Sequence, residues 1–259
     1  MGGRKSAMST AFKKWCTGYS GCDGGDLGSP ESPSVWVCGI EWGGGHTPKS
    51  LLSNIAEDVR TPPQGYGNWK DNLSYIFNWQ IVKLLSAIDG GHVKDYKEFS
   101  ERVMPFVCGC RGYFKMNLHP IGFKDTSHGR WLEEFSGITG FATKSDYLDW
   151  STDYRLPQMR KWAENSRPKL ILCLGKTYLP QFKRAFLDDD TIVNQETIEG
   201  KEMFWGKNLQ GSLVVVIPFM VNRNGLTRNI AIQCFGEKIK DLLTRQSGAS
   251  FAYPQDFFC

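Results

Sequence analysis

Several signatures are missing from this chain, and each absence removes a class of function. No run of 18 apolar residues occurs, so no segment reads as a membrane-spanning helix. The first twenty residues hold no continuous apolar stretch, so no secretory signal is expected and a reducing cytoplasm is the expected location. No G-x-x-x-x-G-K-S/T loop is present, against a P-loop ATPase. No G-x-S-x-G elbow is present, against a serine hydrolase. No G-x-G-x-x-G follows a strand, against a dinucleotide-binding dehydrogenase. Charge of one sign does not dominate either: 31 basic and 27 acidic residues leave a net charge of +4. That permits a nucleic-acid partner without requiring one. None of the eight cysteines lies in a C-x-x-C pair. Cys38, Cys173 and Cys234 sit in apolar runs and read as core thiols. Cys16 with Cys22 and Cys108 with Cys110 are left open as metal or cluster ligands.

What is present is a chain of 259 residues, 41% of them apolar, enough to bury one substantial core. Residues 1–33 are rich in Gly, Ser and Lys and read as a flexible segment, 34–246 as an α/β domain, and 247–259 as a tail. Four buried strands are expected: Ser34-Val-Trp-Val-Cys-Gly-Ile40, Gly112-Tyr-Phe-Lys-Met-Asn117, Pro168-Lys-Leu-Ile-Leu-Cys-Leu-Gly175 and Ser212-Leu-Val-Val-Val-Ile-Pro218. Helical periodicity covers 72–88, 93–103, 177–187 and 226–243, with interrupted helix over 145–166 broken near Pro157. Residues 191–208 read as a hairpin turning at Glu199-Gly200. Strands alternating with helices predict a three-layer αβα fold around a mostly parallel four-stranded sheet.

In such a sheet ligands collect at the carboxyl ends of the strands, and three of the four ends are chemically unusual. The first is Gly39-Ile-Glu-Trp-Gly-Gly-Gly-His46, a carboxylate beside a glycine run that lets backbone N–H groups approach a ligand. The second ends in Asn117, whose amide both donates and accepts and so suits the edge of a base. The third is Pro218-Phe-Met-Val-Asn-Arg-Asn-Gly-Leu-Thr-Arg-Asn229. Its Arg223 and Arg228 favour phosphate, and Leu226 beside Gly225 is placed to wedge into a base stack. Trp42, Tyr66 and Trp69 are candidates to stack on a base. His46, His119 and His128 are candidates to assist a leaving group or touch phosphate. Each has a plain structural alternative: Glu41 caps a neighbouring helix or pairs with a surface lysine, Asn117 caps the turn before Pro120, Leu226 is the first core residue of the last helix, the aromatics are core, and a loop histidine is a solvated or capping residue.

Gly39-Ile-Glu-Trp-Gly43 resembles the G-I-N-P-G motif of the mismatch-specific uracil/thymine branch of the uracil-DNA glycosylase superfamily. Asn222-Arg-Asn-Gly-Leu-Thr-Arg228 resembles that branch's N-P-S-G-L-S-R motif. Order and context agree over residues 34–245. The resemblance implies a cofactor-free, monomeric enzyme that flips a base out of DNA and hydrolyses its N-glycosidic bond. It implies that Glu41 holds the attacking water, Asn222 stabilises the leaving base and Asn117 recognises the base. It also implies that Leu226 intercalates, that Arg223, Asn224, Gly225 and Arg228 grip the DNA, and that Gly175, Lys176 and Thr177 contact phosphate. Glu41 stands where the motif has Asn or Asp, and Trp42 where it has Pro. The base is therefore open between uracil and a bulkier one, such as the hypermodified cytosine of viral DNA. A non-catalytic DNA-binding module and a nucleoside hydrolase are the alternatives.

Overall fold

The computed structural model describes residues 8–123 and 131–248. The chain runs α1 (Thr10–Thr17), β1 (Cys22–Gly25), β2 (Gly28–Ser29), β3 (Ser32–Pro33), β4 (Val35–Gly39), α2 (Pro48–Ile55), α3 (Trp69–Leu73), α4 (Ile76–Asp89), α5 (Tyr96–Val103) and β5 (Tyr113–Asn117). It continues α6 (Glu133–Thr139), α7 (Lys144–Ser166), β6 (Leu170–Leu174), α8 (Leu179–Phe186), β7 (Asn194–Ile198), β8 (Lys201–Lys207), β9 (Leu213–Ile217) and α9 (Asn229–Gly248).

The four strands expected from the sequence are β4, β5, β6 and β9, and they lie side by side in parallel as β5-β4-β6-β9. Period-two alternation decides the layers. Val35, Val37, Leu170, Leu172, Val215 and Ile217 face one side, packed with α4, α5 and α9. Trp36, Cys38, Phe114, Met116, Ile171 and Val216 face the other, packed with α7 and α8. The fold is therefore mixed α/β with helices on both faces of the sheet. No described helix is long and apolar enough to cross a membrane.

The sheet has seven strands rather than four. β1 adds antiparallel to β5 at one edge, and the β8–β7 hairpin adds antiparallel to β9 at the other. The hairpin turns at Glu199-Gly200, where both residues have positive φ (51° and 73°), the conformation of a tight two-residue turn. A second correction concerns residues 8–33. They are built into the domain: Phe12, Trp15 and Cys16 of α1 are buried with Leu51, Phe135 and Tyr147 in a third apolar cluster. Spacing of i, i+3, i+4 was the available signal, diluted by the Gly, Ser and Lys around it. A third is that α7 runs unbroken through Pro157. The carbonyl that Pro157 cannot engage belongs to exposed Asp153, where water can serve it. The last helix starts at Asn229 rather than at Leu226.

From β4 the chain crosses first to β5 on one side and later to β6 on the other. This reversal opens a crevice at the carboxyl ends of β4 and β6.

Candidate active site

A cavity of about 810 Å³ occupies that crevice. Glu41, Asn117 and Asn222 all line it, as do Trp42, Tyr66, Gly175, Lys176, Thr177, Asn224 and Gly225. Three strand ends far apart in sequence thus supply one carboxylate and two amides to one space.

The Glu41 side chain is 5% exposed and the Lys144 side chain 1%. Lys144 Nζ lies 3.3 Å from each carboxylate oxygen and 3.8 Å from the centre of the Phe123 ring. Lys144 is the first residue of the 23-residue α7, where a cation opposes the helix dipole. The buried anion of Glu41 offsets that placement, and the lysine in turn fixes the carboxylate beside the cavity. The pairing alternative for Glu41 is therefore realised, though inside the protein rather than at its surface.

Asn117 is held from three sides. Its backbone N–H and its Nδ2 both donate to the Gly21 carbonyl, at 3.1 and 3.0 Å. Its own carbonyl accepts from Arg155 Nη2 at 3.2 Å. A Cβ on Gly39 would sit 2.4 Å from Asn117 Oδ1, so the glycine ending β4 is what lets the amide lie over the neighbouring strand.

Behind Asn117 lies a polar cluster that no sequence motif marked. Lys115, buried mid-strand, donates to Asn78 Oδ1 at 2.7 Å and to Tyr66 Oη at 3.3 Å, and pairs with Asp23 at 3.2 Å. Tyr66 Oη donates to Asp23 at 3.1 Å and accepts from Asn78 Nδ2 at 2.9 Å. Burial lowers the Lys115 pKa against the pull of Asp23, and burial raises that of Tyr66, with Asp23 adding to it. Asp23, Asn78 and Lys115 all line the cavity, whose apolar wall includes Phe77 and Phe219 with ring centres 5.4 Å apart. A subtler signal was in the sequence: a lysine inside an apolar strand requires a buried partner.

Other expected residues fall elsewhere. Trp69 is half-buried on α3 and does not line the cavity. Leu226 is fully buried in the core with α4 and α9, because the loop after β9 folds back on itself. Gly225 N–H donates to Asn222 O at 2.9 Å and Leu226 N–H to Phe219 O at 2.8 Å. Leu226 is a core residue and not an exposed wedge. Leu226→Ala is accordingly expected to cost about 2–5 kcal/mol of stability, read by thermal or urea unfolding. Arg223 is exposed at the same loop but does not line the cavity. Arg228 donates to the Glu199 carbonyl at 3.1 Å and pairs with its carboxylate at 3.3 Å. Lys176 pairs with Glu202.

His119 is buried behind β4, with Nδ1 3.1 Å from Ser151 Oγ and Nε2 lacking a hydrogen-bond partner among the described residues. Burial, helped by the charges of Arg155 and Lys144, pushes its pKa down to about 3. It lines neither cavity. His46 lines a second cavity, and His128 lies outside the described residues.

The second cavity, of about 560 Å³, shares Asp23, Trp42 and Asn117 with the first. No lysine or arginine lines it among the described residues. His46 Nδ1 accepts from Gly122 N–H at 2.8 Å, which leaves Nε2–H to donate to Asn54 Oδ1 at 3.0 Å. Asn54 Nδ2 donates on to Glu57 at 2.6 Å. Burial holds the His46 pKa below its ordinary value, against the pull of Asn54, Gly122 and Glu57.

No protein-family model matches the sequence, and no curated protein is significantly similar to it.

Proposed function

We propose that this protein is a DNA glycosylase: it takes a base out of the stack into the larger cavity and hydrolyses its N-glycosidic bond, leaving an abasic site. The observation that carries the reading is the meeting of Glu41, Asn117 and Asn222 in one cavity at the sheet's switch point. The order of the two motifs around it agrees with the resemblance to the uracil-DNA glycosylase superfamily. Breaking the bond develops positive charge on the sugar. A fixed carboxylate stabilises that charge and takes a proton from the attacking water. The Asn222 amide donates to the departing base, and the Asn117 amide reads its edge. No cofactor is needed for this chemistry.

The second cavity favours a substituted base over plain uracil. Trp42 and Asn117 line both cavities, so a group carried by the base at that edge lies next to a space whose amide, carboxylate and imidazole atoms suit hydroxyls, and which no lysine or arginine among the described residues lines. A hypermodified cytosine, the kind of base found in viral DNA, is the substrate class this arrangement fits. Mass spectrometry of bases released from oligonucleotides carrying uracil, thymine mismatches, cytosine, hydroxymethylcytosine and glucosyl-hydroxymethylcytosine tests both statements. Release is expected to be fastest from the glucosylated substrate. Release from uracil alone rejects the role of the second cavity, and release from none of them rejects the enzyme.

A further inference from the structure

With Leu226 buried, the cavity needs another group to hold the stack open behind a departing base. We propose that Tyr75 and Ile76, where α4 begins, are that wedge; the inference rests on the glycosylase reading above.

Among the described large apolar side chains that are more than a third exposed, only Trp42, Tyr75 and Ile76 line the cavity. Leu52, Ile192, Leu209 and Ile230 are as exposed but line neither cavity. Tyr75 is 58% and Ile76 56% exposed, so the two form an apolar step on the rim of the cavity that Asn222, Asn224 and Gly225 also line. Ile76 breaks the pattern of its own helix, in which Ile81, Val82, Leu84 and Leu85 are buried. Trp42 is differently placed. Its indole lies against Gly44 and Gly122, where a Cβ would come within 2.1 and 3.0 Å of the ring, so it serves as the wall between the cavities.

Three features suit the pair to the base stack. α4 is mounted on α9 and the sheet through the main core, so the step stands on a rigid element. Tyr75 makes no side-chain cap to the helix it precedes, and its ring lies 6.2 Å from that of Tyr66, which the Asp23–Lys115 cluster anchors. Lys176, which also pairs with Glu202, lines the same cavity, and Lys70 is exposed just upstream on α3, so the step has basic side chains among its neighbours. An apolar group inserted between base steps compensates for part of the lost stacking.

The test compares one target base in a duplex and in the same single strand, where no stack has to be opened. For Tyr75→Ala/Ile76→Ala, release from the duplex is expected to fall about tenfold or more relative to release from the single strand, by the usual value of an aromatic stacking contact. Tyr75→Phe and Ile76→Leu are expected to restore the duplex rate. Leu226→Ala is expected to leave the duplex-to-single-strand ratio unchanged. Equal losses on both substrates, or no loss on the duplex, overturn the wedge. Since both residues are exposed, the variants should melt with the parent protein, and a melting curve checks this. Failure of the parent protein to release base from either substrate rejects the glycosylase reading, and that result precedes any variant.

Discussion

Glu41→Gln is expected to slow base release by at least about a hundredfold, the usual range for losing a general base, while DNA binding persists. Charge is the reason. Glutamine keeps the shape of the side chain and an oxygen for Lys144, but it cannot stabilise a cationic sugar or accept a proton from water. A confounding effect is built in, because the Lys144 side chain is 1% exposed and loses the carboxylate charge 3.3 Å from its Nζ. Breaking a buried pair at one end costs about 3–5 kcal/mol, so the variant should also melt earlier. Glu41→Gln/Lys144→Met separates the two effects. Removing both charges is expected to recover much of the stability and none of the base release. The decisive measurement is single-turnover release at a temperature where circular dichroism shows both variants folded. If Glu41→Gln releases base within a few-fold of the parent rate, the chemistry lies with another group. If the double variant recovers release along with stability, Glu41 is structural.

The parts of this molecule legible in its sequence are those whose cause is local. The four parallel strands announce themselves as uninterrupted apolar runs because both faces of the sheet are covered. Glu41, Asn117 and Asn222 were reachable from the polar residues at the carboxyl ends of those strands, where an open α/β sheet binds its ligands. β1 was not, since Cys22-Asp-Gly-Gly25 carries no alternation and is a strand only because β5 offers it an edge. Asp23, Asn78 and Lys115 come from three separate elements, and only the folded chain brings them together. Lys115 nevertheless carried a warning. A lysine inside an apolar strand needs an anion inside the protein, and Asp23 is that anion. Lys144, between Thr143 and Ser145, carried none, and only the folded chain shows that it meets Glu41. Leu226 misleads for the opposite reason: its neighbours Arg223, Asn224 and Arg228 look like a surface loop, while the bond from its N–H to Phe219 turns the side chain inward.

Arg155→Met is expected to be among the most destabilising single changes in the protein, for reasons that reach the base-reading amide. Arg155 is fully buried, and among the described residues its hydrogen bonds run to carbonyls and a hydroxyl rather than to a carboxylate. Nε donates to Leu118 O at 2.6 Å, Nη1 to Cys16 O at 2.5 Å and to Gly18 O at 3.2 Å, and Nη2 to Ser20 O at 2.7 Å and to Asn117 O at 3.2 Å. One guanidinium thereby fastens the segment joining α1 to β1 onto the end of β5. Methionine keeps the apolar stem and abandons all of these carbonyls. Each buried acceptor left without a partner costs about 1–3 kcal/mol, and relief from burying a guanidinium charge returns part of that. A net loss of about 3–5 kcal/mol follows, or about 6–20 °C in melting temperature for a domain of this size. Lysine is not expected to rescue it, because one ammonium cannot reach donors spread over a planar fork. The loss should be local before it is global. Hydrogen exchange should accelerate first at residues 16–21, and since Gly21 O is the acceptor that orients Asn117 Nδ2, discrimination between bases should fall further than the rate on the best one. A melting temperature within about 2 °C of the parent, less than the shift expected for 1 kcal/mol, would show that water takes over the abandoned carbonyls and that Asn117 is held by something else.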